Sequence, residues 1–186
     1  PAMGWLDDNY IKYARVAGED SNAVVSFHYY LPMLLSHYKM LAWVGYQGAV
    51  QYPGVVIPTQ SDADKYPQYA SFHKTTYNAD RIMGEMSNAA SDGRNAGHAV
   101  HCGEFGCSKN VAEAMRLAWF TDMVAAMEAN NIPWTLWECL DGGFGFVDME
   151  YGIYRINCPL LKVLTGKELT DAEAKALLQK YGFKTE

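Results

Sequence analysis

The chain has 186 residues, of which 49% are apolar and 19% charged, enough for one domain with a sizeable core. Its net charge of −6, without any cluster of Lys and Arg, excludes the electrostatic footprint of a nucleic-acid binder. No apolar run approaches the roughly 20 residues that span a bilayer, and the N-terminus lacks the order of a signal peptide, so no membrane partner is expected.

Pro1-Ala2-Met3-Gly4 reads as the scar of a cleaved tag and is set aside, leaving residues 5–186 for the fold. Leu6, Tyr10, Tyr13 and Ala17 recur at helical spacing and predict a short helix over 5–17. Residues 23–30, Ala-Val-Val-Ser-Phe-His-Tyr-Tyr, are β-branched and aromatic and predict a strand buried on both faces. A long irregular stretch, 31–62, carries Pro32, Pro53 and Pro58 among many aromatics. A helix is predicted from about Ala70, with Phe72, Tyr77, Ile82, Met83 and Met86 as its stripe and Ser91-Asp92-Gly93-Arg94-Asn95 as its end. Residues 99–105 form the next strand, and Asn110 is the expected cap of a helix over 111–129 with Ala114, Leu117, Ala118, Met123, Val124 and Met127 inward. A third strand covers 132–138. After a glycine-rich loop at 142–145 come Ile153-Tyr154, a helix near 159–165, and a last helix opened by a capping box of Thr170 and Glu173. Alternating β and α elements predict an α/β fold with a parallel sheet of three visible strands, too few to close a barrel alone.

Gly103-Glu104-Phe105-Gly106 stands at the C-terminal end of a buried strand, where parallel sheets place functional side chains. The glycines would let a ligand approach the carboxylate. An exposed turn glutamate is the plain alternative, and the companions decide between them. His28 and Tyr30, two apart, leave one face of the first strand and can enter one pocket, although such residues are commonly core. Trp137 offers a flat apolar face to a sugar ring at the end of the third strand. Trp43, Trp134 and Phe144 suit either stacking or the core, with Trp43 the strongest platform among them. Glu138 and Asp141 suit hydrogen bonds to substrate hydroxyls better than proton transfer. His98, His101, Cys102 and Cys107 lack a zinc spacing, so no metal and no cofactor is expected. With no CxxC pair, the four cysteines leave the compartment open.

Val25-Ser26-Phe27-His28-Tyr29-Tyr30-Leu31-Pro32, then Gly103-Glu104-Phe105-Gly106, then Trp134-Thr135-Leu136-Trp137 with Gly142-Gly143-Phe144-Gly145, resemble strands six, seven and eight of glycoside hydrolase family 5, the cellulase family. The match runs from about Ser21 to Gly166. It implies a partial (β/α)8 TIM barrel, the C-terminal part of a retaining endo-β-1,4-glucanase that uses no cofactor. It further implies that Glu104 is the nucleophile, that His28 and Tyr30 lie in the active site, and that Trp137 is the platform at the cleavage subsite. His37 and Phe144 take substrate-contact positions, His37 within Leu35-Ser36-His37-Tyr38 where the family commonly reads Phe-Thr-His-Gln. The family's acid/base Glu belongs to an Asn-Glu-Pro at the end of strand four, and no Asn-Glu-Pro occurs in the 186 residues. The parent enzyme is expected to be secreted and to act on a β-1,4-linked glucan, with a mannan as alternative.

Two classes follow: an enzyme part holding half of the carboxylate pair, or a non-catalytic partial barrel that folds or assembles without turnover. In either, little or no glycosidase activity is expected of the isolated chain. Open sheet edges, with Val25, Phe27 and Leu136 facing water, predict a homo-oligomer.

Overall fold

The computed structural model describes residues 3–5, 20, 22–40, 45–140 and 142–186. From residue 6 onward the helix expected over 5–17 lies outside them, as do Trp43 and Asp141. Met3–Trp5 forms the edge strand β1 and pairs in parallel with Val24–Tyr29 (β2), although Met3 and Gly4 read as a tag scar and Trp5 as the start of a helix. Strand β5 (Ala99–Phe105) lies beside β2, and β6 (Trp134–Leu136) beside β5. The sheet is therefore β1-β2-β5-β6, four parallel strands in chain order rather than the expected three.

One face of this sheet is covered by α3 (Ala79–Ala96) and α4 (Glu113–Ala129), which pack against each other. Val25, Phe27 and Tyr29 point into that layer, against Ile82, Met86, Trp119 and Phe120. The expectation that Val25 and Phe27 face water is thus wrong: they are 1% and 0% exposed. Leu136 is half-buried. The open face instead carries Ser26, His28, His101 and Thr135. On it the Ser26 hydroxyl lies 3.4 Å from His101 Nδ1 and Thr135 Oγ1 lies 3.1 Å from His101 Nε2. Strand β2 accordingly alternates buried and half-buried positions, because only one of its faces has a helix layer.

The long segment after β2 is more ordered than its composition predicts. It holds a single turn α1 (Met33–Ser36), β3 (Gly54–Val55), α2 (Gln60–Lys65), a 3-10 helix (Pro67–Lys74) and β4 (Thr76–Tyr77), with β3 and β4 antiparallel. The helix expected from Ala70 starts instead at Ala79, where the Asn78 side chain accepts the Arg81 N–H at 3.0 Å. It runs through Ser91–Asn95 and stops at Gly97, whose φ of +77° makes the left-handed cap. Gly93 sits inside this helix because a Cβ there would lie 2.0 Å from Val100 Cγ2. Tight packing on β5 overrides the local turn signal.

Asn110 does not cap α4. Its amide donates to the Tyr38 and Lys39 carbonyls, and the helix opens at Ala112 without a side-chain cap. The buried set of α4 includes Arg116, Trp119 and Phe120, while Ala114 is exposed. Beyond β6 follow the antiparallel pair β7 (Val147–Glu150) and β8 (Ile153–Ile156), then α5 (Cys158–Thr165) and α6 (Asp171–Lys180). Thr170 and Glu173 form the capping box expected at α6. No helix among the described residues is long and apolar enough to cross a membrane.

Candidate active site

The register between β2 and β5 positions the central carboxylate. Pairing runs Ser26↔His101 and Phe27↔Cys102, then jumps to His28↔Glu104, so Gly103 is one extra residue on β5. The jump recurs on the other side, where Cys102 and Phe105 face Trp134 and Leu136. In unbroken alternation Glu104 would share the helix-covered face with Cys102. The bulge turns it onto the open face instead and returns Phe105 to the core against Trp119, Phe120 and Trp134.

Both flanking glycines make room for protein rather than for substrate. A Cβ on Gly103 would meet Ser26 Oγ at 2.5 Å, and one on Gly106 would meet the Trp137 carbonyl oxygen at 2.4 Å. Close approach of the neighbouring strand ends therefore requires glycine at both positions.

His28 and Tyr30 converge on this carboxylate, as their spacing predicts. The Tyr30 hydroxyl donates to Glu104 Oε2 at 2.9 Å, and His28 Nδ1 stands 3.3 Å from the same oxygen. Burial, together with the hydrogen bond to Glu104 and its charge, pushes the Tyr30 phenol far above its ordinary value. It therefore remains a donor across the working pH range. Burial also pushes the Cys102 and Cys107 thiols to about 12, which keeps both un-ionised and unreactive beside the site.

Behind Tyr30 lie His37 and Phe144, with ring centroids 4.9 and 5.8 Å from the tyrosine ring. Both are buried, so they back Tyr30 instead of presenting open surface. Burial lowers the His37 pKa and keeps its ring neutral. The Ser36 hydroxyl donates to the Tyr30 carbonyl at 2.5 Å and lies 2.9 Å from His37 Nδ1, which fixes the imidazole. Trp137 is 48% exposed at the end of β6, joined to Glu138 by a cis peptide bond. Glu138 Oε1 accepts the Phe144 N–H at 3.4 Å. Trp134 is packed on Phe105, 5.3 Å between centroids, so it belongs to the core.

Arg116 is the residue that sequence patterns missed. On α4 it is 4% exposed; Nε donates to the Cys107 carbonyl at 2.9 Å, and Nη2 donates to the Phe144 carbonyl and, at 2.8 Å, to that of Gly145. It ties the loop after Glu104 to the loop carrying Phe144. A lone arginine among Met115, Trp119 and Phe120 was the signal, masked because α4 is apolar on nearly every side. Arg116→Ala is expected to cost roughly 3 kcal/mol by leaving three buried carbonyls unpaired, read as a lowered midpoint in urea.

His98, His101, Cys102 and Cys107 do not gather: His101 lies on the open face, and both thiols are buried. Among the described residues no three His, Cys, Asp or Glu are placed to hold a metal ion.

The model of the family described as cellulase, glycosyl hydrolase family 5, matches residues 3–143. The chain belongs to this family. Endoglucanase C of Acetivibrio thermocellus is 22% identical over 156 residues, 80% of this chain and 40% of that protein. The chain thus spans two fifths of the length of this curated relative. Thermotoga maritima Cel5A, solved in complex with cellobiose, superposes with a TM-score of 0.58 at 19% identity, covering 86% of this chain and 44% of Cel5A. A hyperthermophilic endo-β-1,4-glucanase in complex with substrate gives a TM-score of 0.61 at 20% identity, with 89% and 47% covered. The cellulose synthase subunit Z of Clostridioides difficile gives 0.57 at 23% identity, with 79% and 42% covered. At such identities these superpositions establish the shared α/β fold.

Proposed function

We propose that the chain is the C-terminal part of a retaining β-1,4-glycan hydrolase whose (β/α)8 barrel it supplies in part, and that Glu104 is the nucleophile. The observation that carries this reading is the single carboxylate oxygen held between the Tyr30 hydroxyl and His28 at the C-terminal end of β5. Family membership and the endoglucanase names of the relatives support a β-1,4-glucan as substrate. A Cel5A complex with mannotriose keeps β-mannan as a second substrate class.

In this reading Glu104 attacks the anomeric carbon to form a glycosyl-enzyme, which water then hydrolyses. Tyr30 and His28 hold the carboxylate in line, while Trp137 stacks under the sugar and Glu138 binds its hydroxyls. The Asn-Glu-Pro acid/base of the family is missing from these residues, so the isolated chain turns over ordinary substrate slowly or not at all. That absence favours the second reading, a partial barrel without turnover.

A dinitrophenyl β-cellobioside separates the two readings, because its leaving group departs without a proton. We expect a burst of about one dinitrophenolate per chain as Glu104 is glycosylated. A chain that gives no burst is a non-catalytic fragment.

A further inference from the structure

At the end of the sheet opposite Glu104, the last turns of α3 and α4 and the starts of β5 and β6 enclose an open cavity of about 350 Å³. Ligand pockets begin at roughly 300 Å³, so the space suits a small molecule. Burial divides its lining into floor and rim. Ala90, His98, Val100 and Ile132 are buried and form the floor, while Arg94 and Asn131 are exposed and stand at the rim. No acidic residue lines it, in a chain whose net charge is −6.

His98 is the residue that asks for a ligand. It is 8% exposed, and neither Nδ1 nor Nε2 has a hydrogen-bond partner among the described residues. A neutral imidazole carries one donor and one acceptor, and buried polar atoms are nearly always paired. The backbone N–H of His98 donates to the Gly93 carbonyl at 2.9 Å and so helps to cap α3. Capping explains why the residue is there, but not its ring. Arg94 is likewise unclaimed, with no carboxylate against it among the described residues. The helix ends do not repel an anion as free ends would, because their last carbonyls are occupied. Those of Gly93 and Arg94 accept from His98 and Gly97, and those of Met127 and Glu128 accept from Ile132 and Asn131.

We propose that this cavity binds a small carboxylate with an apolar body, held by Arg94 at the rim and by the His98 ring at the floor. The guanidinium fork matches the two carboxylate oxygens, and the imidazole N–H donates to one of them. The apolar body covers Ala90, Val100 and Ile132, a surface that a phosphate, polar on every side, would leave uncovered. The site is independent of the catalytic reading. Glu104 stands six positions beyond His98 along β5, roughly 20 Å away at about 3.3 Å per residue.

Nuclear magnetic resonance of the 186-residue chain tests this, with the His98 ring signals assigned through its own backbone. At neutral pH and constant ionic strength, benzoate should move those signals saturably. Benzamide, the same shape without the charge, and inorganic phosphate, the charge without the apolar body, should each bind at least about tenfold more weakly. Arg94→Gln, at an exposed position that leaves the fold intact, should weaken benzoate by about tenfold to a hundredfold. His98→Phe, read from the benzoate signals instead, should weaken it by about tenfold. Glu104→Gln should leave the affinity unchanged. Benzamide binding as tightly as benzoate would reduce the site to an apolar cleft, and phosphate binding as tightly would reduce it to a bare anion contact. Either result overturns the proposal. So does the absence of a shift with any probe, full affinity in Arg94→Gln or in folded His98→Phe, or loss of binding in Glu104→Gln, which would move the ligand to the other end of the sheet.

Discussion

Replacing Glu104 with Gln is expected to lower glycoside hydrolysis by about 10⁴-fold or more, the order of loss when a covalent nucleophile is removed. The amide keeps the size and shape of the carboxyl but cannot bond to the anomeric carbon. Its oxygen still accepts the Tyr30 hydroxyl that now donates to Oε2 at 2.9 Å. The fold should therefore survive, with a change of less than about 1 kcal/mol in stability. Progress curves on the dinitrophenyl cellobioside, with a thermal melt of the same sample, separate the two effects. Near-normal rates in a folded variant would remove Glu104 from the nucleophile role.

Tyr30→Phe should slow the same reaction by about tenfold to a hundredfold. A hydrogen bond to a charged group is worth roughly 1.5 to 3 kcal/mol, and each 1.36 kcal/mol is about tenfold in rate. The phenyl ring keeps its packing on His37 and Phe144, so stability should barely fall. The Tyr30 phenol is displaced far upward and remains a donor throughout the neutral range. The loss should accordingly be of similar size across neutral pH. A defect that appeared only at alkaline pH would mean that Tyr30 acts through its own ionisation.

The strand ends were legible in the sequence because their signals are local. Val24–Tyr29 and Ala99–Phe105 fall within a residue of their expected bounds, and the period-two spacing of His28 and Tyr30 correctly brings both onto one carboxylate. The capping box at Thr170 was equally plain, since Thr and Glu three apart carry the whole interaction.

What could not be read depends on neighbours distant in the chain. The bulge at Gly103 exists only relative to β2 and β6, so nothing in Gly-Glu-Phe-Gly announced that Glu104 is turned out of the helix layer. The short pairing of β3 with β4 joins residues more than twenty positions apart, through a segment whose prolines suggest loop. Gly93 looked like a helix end because its reason, contact with Val100 on the next strand, is tertiary. Strand polarity was misassigned for Val25 and Phe27 because only one face of the sheet is covered by helices. Within the site, Arg116 escaped notice since its partners are carbonyls of two separate loops, which no spacing rule anticipates.

The central claim is that Glu104 forms the covalent glycosyl intermediate. A dinitrophenyl 2-deoxy-2-fluoro-β-cellobioside tests it most directly, because the fluorine slows hydrolysis of the intermediate and the activated leaving group needs no acid. Mass spectrometry of the digested chain should then find a single added cellobiosyl unit on the peptide containing Ala99–Phe105, fragmenting to Glu104. A label on any other carboxylate, or none after prolonged incubation at saturating reagent, would contradict it.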